Sequence, residues 1–198
     1  GYNSQSTSSR SLVLNPFGGN VGIGMTSPVT KLEVTPSTTN SSIKTGGLEM
    51  QSYAVNNGWY AENLYYDGGW KLRSAGYATQ MYMQTGAITF NRVASGSAGD
   101  SVSPQPTMVL AANGNVGIGT TNPNSILELA SQNPVINFKD TTAGTDLSYR
   151  YIQNVDGKFL FAKANDAYNS FTTHMAIDTD GNVGIGETNP NALLHLSS

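Results

Sequence analysis

The chain has 198 residues; Gly, Ser, Thr and Asn make up roughly two-fifths of it and charged residues only 12%, a mixture that favours turns and short strands over helices. Thirteen acids against ten bases give a net charge of −3, and the bases are dispersed from Arg10 to Lys163, so there is no basic patch to track phosphates and nucleic-acid binding is not expected. Cysteine is absent, which removes disulfides, thiol catalysis and thiolate metal sites, and no apolar run reaches the length of a membrane span.

The first predicted element is an apolar strand, LVL at 12–14, followed by a turn, NPFGG, and then by NVGIGMTSPVTKLEV at 20–34. Nearly the same stretch returns as NVGIGTTNPNSILEL at 115–129 and NVGIGETNPNALLHL at 182–196. Each copy has an upstream partner, MVL at 108–110 for the second and MAI at 175–177 for the third, and a turn, AANG or DTDG. The pattern reads as strand, tight turn, strand, proline break, strand. Val21, Val116 and Val183 are 95 and 67 residues apart, which is too irregular for a solenoid of fixed period. It fits a constant connector separating inserts of variable length. The expected organisation is therefore 1–34, the end of a preceding module with the first connector; 35–130, a β-rich module with the second; and 131–198, a β-rich module with the third.

In the first insert, WYAENLYY (59–66) and WKLRS (70–74) flank Asp67, Gly68 and Gly69, a favourable hairpin turn because glycine accepts positive φ. QMYMQ (80–84) and AITFNRV (87–93) flank Thr85 and Gly86 in the same way. In the second, VINFKD (135–140), LSYRYIQ (147–153) and KFLFAK (158–163) follow one another, with Val155, Asp156 and Gly157 before the last. Period-two aromatic and β-branched residues predict antiparallel meanders. No stretch has a convincing helical period. The expected class is all-β, in small antiparallel sandwich or meander modules.

The repeat itself makes a physical demand. In an extended strand Val116 and Ile118 share one face while Gly117 and Gly119 leave the other bare, and a bare face implies close approach by another backbone. Pro123 stops ladder pairing before Leu127 and Leu129 resume the alternation. A two-stranded unit with four apolar side chains is marginal alone, so the motif reads as part of a core shared between several chains. A phosphate-binding loop would need a following helix, and here a proline and β-branched residues follow. The run Asp178-Thr179-Asp180-Gly181 has the look of the start of a calcium loop, but the other copies lack its carboxylates, so an acidic β-turn is expected. Neither metal nor cofactor is expected.

With an apolar strand before GNVGIGTTNPNSILEL and PVINFKD with a meander after it, the pattern resembles the repeats of bacteriophage tail fibres and related receptor-binding proteins. Repeats of that kind often precede an endosialidase-type intramolecular chaperone. The first copy departs from the pattern, with one extra residue in its turn and Met25 in place of Thr120. The chaperone is not in this chain, and the start without Met reads as an excised fragment. The resemblance implies an intertwined homotrimeric fibre, located extracellularly in the virion tail. Its partners would be other tail-fibre or baseplate proteins and a host-surface glycan or protein receptor, with no membrane insertion.

Candidate ligand-binding residues concentrate in one predicted hairpin. Trp59 and Trp70 lie near Tyr60, Tyr65, Tyr66 and Tyr77, and aromatic faces stack on sugar rings. The same residues would also fill a small β core, since about half of an alternating strand must face inwards. Catalysis is not expected. His174 and His195 have no nucleophile motif around them, and His195 aligns with Glu33 and Glu128 at what reads as an outward, solvated position. A glycan-degrading enzyme would need two carboxylates across a sugar, for which Glu62 with Asp67 or Asp140 with Asp146 are the available pairs. A non-viral surface filament or adhesin built from the same repeats is the other alternative.

Overall fold

Scarce helix formers and frequent aromatic and β-branched residues leave strands as the available regular structure. The computed structural model describes residues 18–23, 25–34, 41–45, 48–54 and 57–197, and among them it is all-β, with no helix. The expected upstream strand at 12–14, and most of the turn after it, lie outside the described residues. No helix among the described residues is long and apolar enough to cross a membrane.

The chain divides into two compact units, Gly1–Gln105 and Pro106–Ser198. This differs from the expected boundaries after residues 34 and 130. The strand upstream of the second motif pairs with that motif, so the two fall together in the second unit.

In the first unit β1 (Val21–Ile23) and β2 (Leu32–Val34) form a parallel pair. A larger antiparallel sheet is built from β3 (Ser41–Thr45), β4 (Leu48–Ala54), β5 (Asn57–Glu62), β8 (Gly76–Gln84) and β9 (Ala87–Gly96), in the order β3-β4-β5-β8-β9. The hairpin β6 (Leu64–Tyr66) and β7 (Trp70–Leu72) lies on it, with Leu64 and Leu72 fully buried against Trp59, Ala61, Ala78 and Val93. Segment 97–102 extends this hairpin, Leu72 N–H donating to the Asp100 carbonyl (3.0 Å) and Val102 N–H to that of Trp70 (2.9 Å).

The expected continuous strand 59–66 is broken at Asn63. Its φ of 56° is left-handed, a conformation asparagine tolerates better than most residues. Its buried amide accepts from Ser74 N–H (2.9 Å) and donates to the Tyr77 carbonyl (2.9 Å). These bonds hold the hairpin over the sheet. Both predicted tight turns, 67–69 and 85–86, form as expected.

In the second unit β10 (Gln105–Leu110), β11 (Val116–Ile118) and β12 (Leu127–Leu129) contain the second motif. The predicted meander follows as β13 (Val135–Lys139), β14 (Tyr149–Val155) and β15 (Lys158–Ala164). It continues through β16 (Phe171–Ile177) into the third motif, β17 (Val183–Ile185) and β18 (Leu194–Leu196), giving a six-stranded sheet in sequence order.

Candidate functional site

The three motif copies are one structural unit repeated. In each, the closing strand pairs in parallel with the VGI strand: Val21 opposite Leu32, Val116 opposite Leu127, Val183 opposite Leu194. Parallel neighbours ordinarily need a longer crossover; here a short loop suffices because it folds under the sheet. The backbone bonds recur as well. Val21 N–H donates to Lys31 O, Val116 N–H to Ile126 O and Val183 N–H to Leu193 O, each at 2.8–2.9 Å. In the second and third copies the upstream strand pairs antiparallel on the other side of the VGI strand, so VGI lies inside a sheet.

The bare face of each VGI strand is filled by the chain's own loop. A Cβ on Gly117 would lie 2.5 Å from the Thr120 carbonyl oxygen and 3.1 Å from Val109 Cγ1; one on Gly184 would collide with the Glu187 carbonyl, and one on Gly22 with that of Met25. This corrects the expectation that a sister chain approaches there: the approaching backbone is intrachain. Pro123 and Pro190 are buried, and in the first copy a Cβ on Gly22 would also meet Pro28 Cγ at 3.3 Å. Asn20 and Asn115 Nδ2 donate to the carbonyls of Pro28 (2.7 Å) and Pro123 (3.1 Å).

Glu33 and Glu128 are likewise corrected from solvated to loop-facing residues. Their Oε2 atoms accept from the N–H groups of Val29 and Asn124, both at 2.7 Å. His195 occupies the same position in the third copy, half-buried, with Nδ1 enclosed and unpartnered.

The opposite face of each unit is aliphatic and open. Met108 and Leu110 pair with Ile118 and Val116, which pair with Leu129 and Leu127, so six apolar side chains share one side. Leu127 is 54% exposed and Ile118 42%. The third copy presents Met175, Ile177, Val183, Ile185, Leu194 and Leu196 by the same register. The first presents Val21, Ile23, Leu32 and Val34.

The six aromatic candidates do not form one platform. Trp59 is 3% exposed and packs edge-on to Trp70 at 4.9 Å, with Tyr66 and Tyr82 completing the cluster between sheet and hairpin. The Trp59 indole is held inside, out of reach of a sugar, and Trp70 is half-buried against it. Tyr60 points to the other side of the sheet, beside Met50 and Met81. Tyr65 lies under the Arg73 guanidinium (5.3 Å) and Tyr77 is 76% exposed. Sequence reasoning missed Tyr82, whose position opposite Trp59 comes from the pairing of β5 with β8, two strands that no tight turn joins.

The carboxylate pairs are occupied by turns. Asp67 pairs with Lys71 (3.1 Å), and Glu62 is exposed at the end of β5. Asp140 accepts the Thr142 N–H and hydroxyl, both at 2.8 Å, and these bonds hold its carboxyl below the usual range. Asp146 accepts from Asp166 N–H (3.1 Å) while its own N–H donates to the Asp166 carboxylate (3.0 Å), which lowers the Asp166 pKa.

In the DTDG turn, Asp178 Oδ1 accepts from Asp180 N–H (2.9 Å) and Asn182 N–H (2.8 Å). Burial works against its charged form, but these donors hold its pKa below the ordinary value. The carboxylate therefore closes a turn. Among the described residues no group of three or more His, Asp or Glu could hold a metal ion. His174 is exposed on β16. No protein-family model and no curated protein sequence matches this chain.

Proposed function

We propose that this chain is a structural and adhesive segment of a homotrimeric bacteriophage tail fibre, which supports or mediates attachment to a host-surface receptor, a glycan in the first instance. The supporting observation is the thrice-repeated unit that closes one side with its own loop and leaves the other side aliphatic. A monomer has no use for three such faces, whereas sister chains in parallel bring identical faces together by symmetry. A fibre working this way attaches by multivalency: three weak sites on one rigid rod raise the effective affinity without new contacts.

Receptor contacts fall to exposed side chains such as Tyr77 and Tyr60, because Trp59 is enclosed in the core. Native mass spectrometry at micromolar concentration tests the reading. The expected species is three chains of 20.9 kDa; a folded monomer overturns it.

A further inference from the structure

The six-stranded sheet of the second unit carries an unbroken row of large apolar side chains on one face, while its other face mixes aromatic rings with alanine and glycine. By register, Ile136, Ile152, Phe161, Met175, Ile185 and Leu196 form one row crossing all six strands. A second row on the same face joins Phe159, Ile177, Val183 and Leu194.

The reverse face carries Tyr151, Ala162, Ala164, Ala176 and Gly184, all buried. The rings of Tyr149, Tyr168 and Phe171 (5.3 and 5.4 Å between neighbours) and the loop holding Pro190 belong to that side. The reverse face thus has a buried centre, Tyr151, Ala162 and Ala164 with Val135 and Tyr149 packed against them, whereas the other face has none. Ile136, Phe138, Phe159, Phe161, Ile185, Leu194 and Leu196 are 37–66% exposed.

We infer that this large-residue face of the β13–β18 sheet is the surface through which copies of the chain associate, each copy packing it against the same face of its sisters. The inference rests on the trimeric reading proposed for the chain and adds which surface is shared. Area supports it. At about 150–200 Å² per fully exposed side chain of this size, these seven alone present on the order of 600 Å², at the top of what monomers leave open and near the ~800 Å² per partner of a stable interface.

Chemistry favours a sister copy over an unrelated partner. The two rows contain no charged side chain, and their one polar side chain is Asn154, opposite Phe159. The nearest charges, Arg150 and Lys163, are both cationic and stand beyond Phe161 at one end of the face. The face is also continuous with the second motif: a groove of about 150 Å³ joins Leu129 to Ile136, Ile152 and Phe159. A second groove of about 260 Å³ lies between Phe138, Arg150, Phe161 and His174. Grooves between bulky side chains receive the bulky side chains of an identical surface, as in sheet-on-sheet packing.

The test compares the full chain with Phe161→Glu/Ile185→Glu and with Asn137→Glu, whose exposed side chain belongs to the reverse face. The expected result is a single-chain mass for the double variant with strand content retained by circular dichroism, and wild-type mass for Asn137→Glu. Should the double variant not fold, Phe161→Ala read by analytical ultracentrifugation substitutes for it, with a dissociation constant raised about tenfold or more. Three-chain mass unaltered by these substitutions overturns the inference and leaves the fibre reading standing. A wild-type monomer overturns both. A trimer dissolved by the double substitution but inert towards every bacterial surface offered to it upholds the inference and counts against the fibre reading alone.

Discussion

At the scale of single residues, Gly117 and Gly184 are where the repeat is held together. Each lies under a loop carbonyl with no room for a Cβ, and Gly119, at φ 78°, turns the chain out of the strand where a side chain would strike Ala130. Gly117→Ala is expected to cost about 1–3 kcal/mol through the displaced Thr120 loop, whereas the exposed Ala112→Ser stays within about 0.5 kcal/mol. Thermal melts followed by circular dichroism check this; equal midpoints contradict it. Glu128 is no neutral control, because its carboxylate holds the Asn124 N–H at the start of the descent into β12. The indole of Trp59 belongs to the same scale: with Leu64 and Leu72 over it, the ring stabilises the first unit from inside.

At the scale of elements, the acidic turns of the second unit are closed by carboxylates. Asp140, Asp166, Asp178 and Glu187 all titrate below their ordinary values because backbone N–H groups donate to them. Depressed carboxylates contribute stability that is complete above the unfolded pKa, 3.8 for the aspartates and 4.5 for Glu187, and is lost as pH falls through the lower folded values. The melting temperature is therefore expected to hold from pH 7 to about 5 and to fall towards pH 2. Asp178→Asn should flatten part of that fall. A melting temperature independent of pH across this range sinks the argument.

Much at this scale was legible in the sequence. Period-two patterning and the glycine turns place β8, β9, β13, β14 and β15, and the matched offsets of proline and leucine place all three closing strands. The parallel pairing of those strands was not legible, because no local signal separates a loop that folds beneath a sheet from one that leads away. The break at Asn63 was hidden for a related reason: its amide finds partners in Ser74 and Tyr77, more than ten residues on. Of the aromatic candidates, alternation alone separates Tyr60 from Trp59, but only the docked hairpin decides which of the two faces is closed.

At the scale of the whole molecule, each unit carries a sheet with one covered and one open side. In the first, Ile43, Met50, Tyr60, Met81 and Phe90 form a cross-strand row in which Ile43 is 51% and Phe90 43% exposed. In the second, the Ile136-to-Leu196 row does the same. Burying a large apolar side chain is worth about 1.5–3 kcal/mol, so faces of this size left in water forgo more free energy than a typical net folding stability supplies. The proposed association of identical chains would recover that free energy without disulfides, which a chain lacking cysteine cannot form.

The missing cysteines also allow a direct measurement. A single spin label at Leu194→Cys, on the outermost strand of the six-stranded sheet, reports distance between copies by pulsed dipolar electron paramagnetic resonance. If the large-residue faces of sister chains meet, labels should lie within about 20 Å of one another, two sheet-packing spacings. Dipolar evolution with no interchain coupling, in a sample that is folded and at micromolar concentration, would contradict the account.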